Sequence, residues 1–380
     1  MSPGGTSSSA ESGVNTASRW RHCQPTLLQQ QLLAFAAFST GNVGLSEFNA
    51  WALAPTHWPN FAFPVFYTMH HMLFVMVVSY IALRTCTPPD DAVGTPCFEQ
   101  FWAYRWPLIT LSICTSLNNG FNNLSLTLVS LFVNQVVKAC QPLPTYAFSY
   151  LLAGKRYGPI VTGSVVAVVG GSILACKYKL SQSSDRASDE STMERRAEGI
   201  IACLIGLLAA SLKPVVAMMV MSGTLERPKL PPMTVLFYDM CLSFLVMLLV
   251  WLCSSEREAA LDYLGNGNTT AVGVMIIIVG STFAFVFQAS NYYFVLLTSA
   301  LTSSIGSNGI RIFLLCITAI QSHVTDGLSW LGICLVILSI GAYTYGNYVE
   351  SDSSPQEGGK QAMLDAEKGP APSEHTPLKG

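Results

Sequence analysis

Charge is what this chain has least of. Only 11% of its 380 residues are Asp, Glu, Lys or Arg, against about 25% in a typical soluble protein. The formal net charge of −2 leaves no basic surface for a nucleic-acid partner. Paired cysteines are lacking too. The eleven cysteines stand singly, without a CxxC, and most fall in apolar stretches where a thiol packs as a small hydrophobe. Neither a zinc site, a disulfide framework nor a cofactor is expected. GxSxG, HExxH and closely spaced Asp pairs within apolar stretches are also absent, which argues against an enzyme. Residues 1–26 are rich in Ser, Thr and Gly and lack the compact apolar core of a secretory signal.

What is abundant is hydrocarbon. Hydrophobic residues make up 51% of the chain. They gather into ten runs, at about 28–53, 62–84, 106–128, 131–152, 159–177, 198–221, 232–254, 271–295, 299–321 and 328–349. Each is long enough to cross a bilayer as a helix, and none alternates like a strand of a membrane barrel. The expected fold is an all-α membrane protein of ten transmembrane helices. A disordered tail, 1–26, precedes a ten-helix domain over 27–350, and a second polar tail, 351–380, follows it. The polar loop 178–197 divides the domain into halves, 27–177 and 198–350. Near the end of each half a helix with one cation (Lys138, Arg311) is followed by a Gly-studded helix (Gly163, Gly170, Gly171; Gly332, Gly341). That is the pattern of a five-plus-five inverted repeat built for alternating access. The distribution of Lys and Arg tips slightly toward cytosolic termini, which would turn the sequon Asn268-Thr269-Thr270 to the lumen.

Of twenty Lys and Arg, only Lys138, Lys213 and Arg311 lie well inside the apolar runs; of twenty-two acids, only Glu47 and Asp239 do, near run ends. A charge at the bilayer centre costs roughly 2.5–3.5 kcal/mol on insertion scales, so such groups face a partner or a wet cavity. The excess is positive, and an anionic solute would balance it. Internal pairing, for example Lys213 with Asp239, is the structural alternative. Asn134 and Gln135 sit about one turn before Lys138 and add hydrogen-bonding capacity. Asn118, Asn119, Asn122 and Asn123 form two i,i+4 pairs, a pattern that suits interhelical hydrogen bonding as well as solute binding. His70 and His71 have no third ligand nearby in sequence, so packed imidazoles are expected and no metal.

The stretch "LVSLFVNQVVKACQPLPTYAFSYLLAGKRY" carries a K-x-C-x-P-x-P pattern followed by a basic pair: Lys138, Cys140, Pro142, Pro144, then Lys155-Arg156. "TSALTSSIGSNGIRIFLLCITAI" and "SWLGICLVILSIGAYTYGNY" close the second half. Together these resemble the nucleotide-sugar and triose-phosphate translocators of the drug/metabolite transporter superfamily, over roughly 45–349. "LFYDMCLSF" resembles the FYNN-type motif on helix seven of Golgi carriers, with Asp239 and Met240 in place of both Asn residues. The ninth-helix basic pair is here Ile310-Arg311, and the helix-one Asn-Lys is Asn49-Ala50. The GALNK motif associated with GDP-mannose is absent. The resemblance implies an antiporter exchanging a UDP-sugar-like nucleotide sugar for a nucleoside monophosphate across the Golgi or ER membrane. Its substrate-binding candidates are Lys138, Arg311, Lys213, Asn134, Gln135, Tyr238, Asp239 and Asn123. The partners implied are the anionic solute, its counter-substrate and the bilayer, with a second copy of the chain as a further candidate. A sugar-phosphate or phosphoenolpyruvate/phosphate translocator of a plastid-type organelle is the alternative. A non-transporting receptor or scaffold is the alternative of another class.

Overall fold

The computed structural model describes residues 26–53, 60–86, 96–129, 134, 137–184, 190–225, 227–321 and 327–353. Among these the secondary structure is all helical, in eleven elements. They are α1 (Leu27–Ala52), α2 (Pro64–Cys86), α3 (Phe98–Leu128), α4 (Pro142–Ala153), α5 (Pro159–Ser184), α6 (Glu190–Ser222), α7 (Pro232–Cys253), α8 (Glu256–Gly265), α9 (Gly267–Leu297), α10 (Ala300–Gln321) and α11 (Gly327–Ser353). Nearly all of the expected tails, 1–26 and 351–380, lies outside the described residues.

Local chemistry sets several ends. Thr26 and Gln29 form a reciprocal capping box that satisfies two free N–H groups at the start of α1. Proline opens α2, α4, α5 and α7, where its missing N–H leaves no intrahelical bond unmade. Gly154 ends α4 with φ of 62°, a left-handed conformation that an L side chain resists.

Among the described residues five stretches are long and apolar enough to cross a bilayer by themselves: Pro64–Thr85, Ala197–Ser222, Pro232–Cys253, Thr269–Leu297 and Gly327–Val349. The outside of the bundle carries large apolar side chains, such as Phe98, Leu151, Leu249 and Leu338, while Asn123, Asn134, Lys213 and Asp239 are buried. Apolar outside and polar inside is the distribution that hydrocarbon solvent favours. The chain is a multi-pass membrane protein.

Helices pair as α5 with α11, α3 with α6, α1 with α9, and α2 with α7; α3 also meets α7, and α2 meets α9. In a bilayer, apolar burial against other helices gains little over lipid, so close backbone approach matters more. At the α5–α11 crossing a Cβ on Gly332 would lie 2.6 Å from the Gly171 carbonyl oxygen and 2.8 Å from the Ala175 Cα. No side chain fits there. The main core cluster joins α2, α3, α6, α7 and α9 through residues such as Tyr67, Leu108, Met221, Leu236 and Ile276.

Three elements differ from the expectation. The loop expected at 178–197 is largely helix, because α5 continues to Ser184 and α6 already begins at Glu190. The helix expected over 131–152 is broken. Residues 137–139 are helical, 140–141 turn, and α4 starts afresh at Pro142, which has no N–H to continue the ladder. Finally, α8 was not anticipated. Its Glu256 accepts from the backbone N–H of Val65 at 3.0 Å and of Phe66 at 3.3 Å, capping α2 from a distant part of the chain.

Candidate functional site

A cavity of about 1330 Å³, measured out to its mouth, runs between α1, α2, α3, α6, α9, α10 and the segment before α4. Its wall is strongly polar for an intramembrane space. Amides from α1 (Asn42, Asn49), α3 (Asn118, Asn119, Asn122, Asn123) and α9 (Gln288, Asn291) share it with Lys138, Lys213 and Arg311.

The three cations are compensated in two different ways. Among the described residues the ion pairs are Lys213–Asp239 at 3.2 Å and Arg257–Glu258 at 3.7 Å. Asp239 is fully buried and fully engaged. It accepts from Thr115 Oγ1 at 2.9 Å, Tyr292 Oη at 2.7 Å and Ser243 Oγ at 3.2 Å. Lys213 donates in addition to Gln288 Oε1 at 3.0 Å and lies 5.3 Å from the Tyr292 ring centroid. This cluster ties α3, α6, α7 and α9 together and is electrically neutral.

Lys138 and Arg311 have no carboxylate within 4.0 Å among the described residues. Lys138 Nζ donates to Asn122 Oδ1. Arg311 donates through Nη1 to the Lys138 carbonyl at 2.7 Å and to Asn308 Oδ1 at 3.1 Å, and through Nη2 to Gln141 Oε1 at 3.2 Å. Two half-buried cations therefore meet on one cavity wall with only neutral acceptors around them among the described residues. Such a pair is stable in a low-dielectric setting only if water or an anion shares the space.

The amides form a connected chain. Asn134 Nδ2 donates to Asn122 Oδ1 at 3.1 Å and Ser125 Oγ at 2.5 Å, and Asn123 Nδ2 donates to Thr68 Oγ1 at 2.5 Å. Asn134 Oδ1 and His71 Nε2 are buried without a hydrogen-bond partner among the described residues.

Of the residues singled out from sequence, Lys138, Arg311, Lys213, Asn134 and Asn123 all line the cavity. Gln135 lies outside the described residues. Tyr238 and Asp239 do not line it. Tyr238 Oη donates to the Cys97 carbonyl at 2.7 Å and its ring packs on Phe101, so it seats the start of α3 against α7. Asp239 is the counter-ion of Lys213, the structural alternative stated above. His70 bonds its own helix, with Nδ1 2.8 Å from the Phe66 oxygen, whereas His71 lies edge-on to Tyr67 and reaches the cavity.

Sequence reasoning missed Gln141 and the serines of α10 (Ser303, Ser304, Ser307) on this wall, and the buried Asn308 that accepts from Arg311. A readable signal existed for the serines. Positions 303, 304, 307 and 311 recur at helical spacing, so three small polar groups share a face with Arg311.

The model of the Triose-phosphate Transporter family matches residues 56–346. A UDP-uronic acid transporter of Arabidopsis thaliana is 26% identical over 311 residues, covering 80% of this chain and 91% of that protein. A probable sugar phosphate/phosphate translocator of the same plant is 24% identical over 274 residues, covering 72% of this chain and 81% of that one. One crystal structure superposes with a TM-score of 0.50 at 13% identity, over 84% of this chain and 97% of the other, which shows a shared fold alone. With a family match over well more than half its length, around a polar cavity in a bundle of membrane helices, the chain belongs to the Triose-phosphate Transporter family, whose members are transporters and not enzymes.

Proposed function

We propose that the protein exchanges a nucleotide sugar of the UDP-sugar type for a nucleoside monophosphate, across a Golgi or ER membrane. One observation carries the reading. Lys138 and Arg311 face the same cavity without an acidic partner among the described residues, while the third cation, Lys213, is neutralised by Asp239. A wall with two uncompensated positive charges suits a dianionic solute, and phosphate groups supply that charge at neutral pH. Neighbouring amides can then accept from and donate to ribose, sugar and base.

The helix pairings support a five-plus-five inverted repeat over 27–350. If α1 corresponds to α6, α2 to α7, α3 to α9, the α4 segment to α10 and α5 to α11, then α3–α6 maps onto α9–α1, and α3–α7 onto α9–α2. The pairs α2–α7, α5–α11 and α4–α10 map onto themselves. A two-fold relation would produce this pattern, and it sets the two cations on either side of one axis.

The second reading is a sugar phosphate/phosphate exchanger, favoured by the similarity to the probable translocator. Counterflow into proteoliposomes decides between them. The expected result is UMP-driven uptake of a UDP-sugar, with triose phosphate and phosphoenolpyruvate inactive. Uptake driven only by inorganic phosphate would establish the second reading, and no uptake of any solute would favour a scaffold.

A further inference from the structure

We propose that two prolines, Pro142 and Pro214, are positioning residues for Arg311, because each leaves a backbone carbonyl free to hold an amide side chain that in turn accepts from its guanidinium. This rests on Arg311 being a substrate cation, as proposed above.

A buried arginine is ordinarily fixed by a carboxylate, which also cancels its charge. Arg311 is fixed instead by the Lys138 carbonyl, Asn308 Oδ1 and Gln141 Oε1. The Lys138 carbonyl also accepts from the Gln141 backbone N–H at 3.0 Å, but the two amide acceptors each depend on a bond that a proline has withheld. Around this turn each N–H bonds three positions back, Cys140 to the Val137 carbonyl and Gln141 to the Lys138 carbonyl, so residue 142 would donate to Ala139. As proline it does not. The Ala139 carbonyl left in this way is one that α10 uses. Arg311 Nη1 reaches the Lys138 oxygen at 2.7 Å, and Asn308 Nδ2 reaches the Ala139 oxygen at 2.6 Å. The second bond turns Asn308 Oδ1 toward Arg311.

Pro214 repeats the device on α6, where it lies inside the helix. Its absent N–H leaves the Ala210 carbonyl without its partner four residues on. Gln141 Nε2 donates to that oxygen at 3.2 Å, which directs Gln141 Oε1 to Arg311 Nη2. The guanidinium is therefore oriented by helix carbonyls, which carry partial negative charge, and by amides set by such carbonyls. Its full charge is left for the solute. Among the described residues three hydrogen bonds engage its five N–H donors, which leaves two for an oxyanion.

The full-length protein and its variants, purified in detergent, would be titrated with UMP and with inorganic phosphate. Pro142→Ala restores a competing N–H and should weaken UMP binding on the order of tenfold, as loss of a charge-assisted hydrogen bond does. In an Arg311→Lys background the same substitution should change affinity by less than about twofold, because an ammonium does not span the cradle. Pro214→Ala acts through Gln141, so it should weaken binding in the wild type and add nothing to Gln141→Ala. It keeps the test decisive if Pro142→Ala does not fold. An unchanged affinity in either proline variant, or the same fold-loss on top of Arg311→Lys, would overturn the proposal. A wild-type protein that binds phosphate but not UMP would refute the nucleotide reading and leave these comparisons to be made with phosphate. One that binds neither would refute both.

Discussion

Two lysines show how one desolvation problem takes two solutions. Lys213 is balanced by Asp239, with Thr115, Ser243 and Tyr292 satisfying the carboxylate. Lys138 leans on an asparagine oxygen and a cavity. They should respond oppositely to removal. Asp239→Ala strands a buried ammonium and should destabilise by about 3–5 kcal/mol, a fall in melting temperature visible with no solute present. Lys138→Gln removes an uncompensated charge and should leave the melting temperature level or higher. The rarity of charge made both lysines legible in the sequence, and even the pairing with Asp239 could be named as an option. The placement of Tyr238 was not legible. On α7 the lipid-facing and core-facing sides are both apolar, so periodicity does not say which way a residue points.

Helix spans were read closely from hydrophobic run length, because hydrocarbon thickness fixes how long a crossing element must be. Hydropathy does not report hydrogen bonding, however. The apolar run 131–152 continues through Cys140 and Gln141, where the backbone turns and the Ala139 carbonyl is left to Asn308. Glycine spacing gave half of another answer: α5 and α11 were recognisably Gly-rich, but only the packing separates one glycine from the next. Gly332→Ala forces a Cβ against the Gly171 carbonyl and should cost about 1–3 kcal/mol. Gly163→Ala has nothing within 4 Å and should be neutral or stabilising by up to ~1 kcal/mol. Melting curves of the two variants in one detergent check the contrast. Equal effects would remove the α5–α11 crossing as a point of close contact.

For the whole molecule, the proposed inverted repeat and the expected cytosolic termini make a claim about sidedness. Protease added to sealed vesicles with their cytosolic face outward should remove the segment after residue 353 and spare the connection between α5 and α6. Cleavage at that connection with an intact C-terminus would reverse the orientation. The central claim is that Lys138 and Arg311 are kept unpaired in order to hold an anion. The most direct measurement is the melting temperature of the wild type, Lys138→Gln and Arg311→Gln, each with and without UMP. A ligand at a hundred times its Kd stabilises by about 2.7 kcal/mol, a shift of several degrees that is easily read. The predicted result is that UMP raises the melting temperature of the wild type only, while both variants without UMP melt no lower than the wild type. Variants that melt several degrees lower without UMP yet keep the full UMP shift would contradict it, and would make both cations structural.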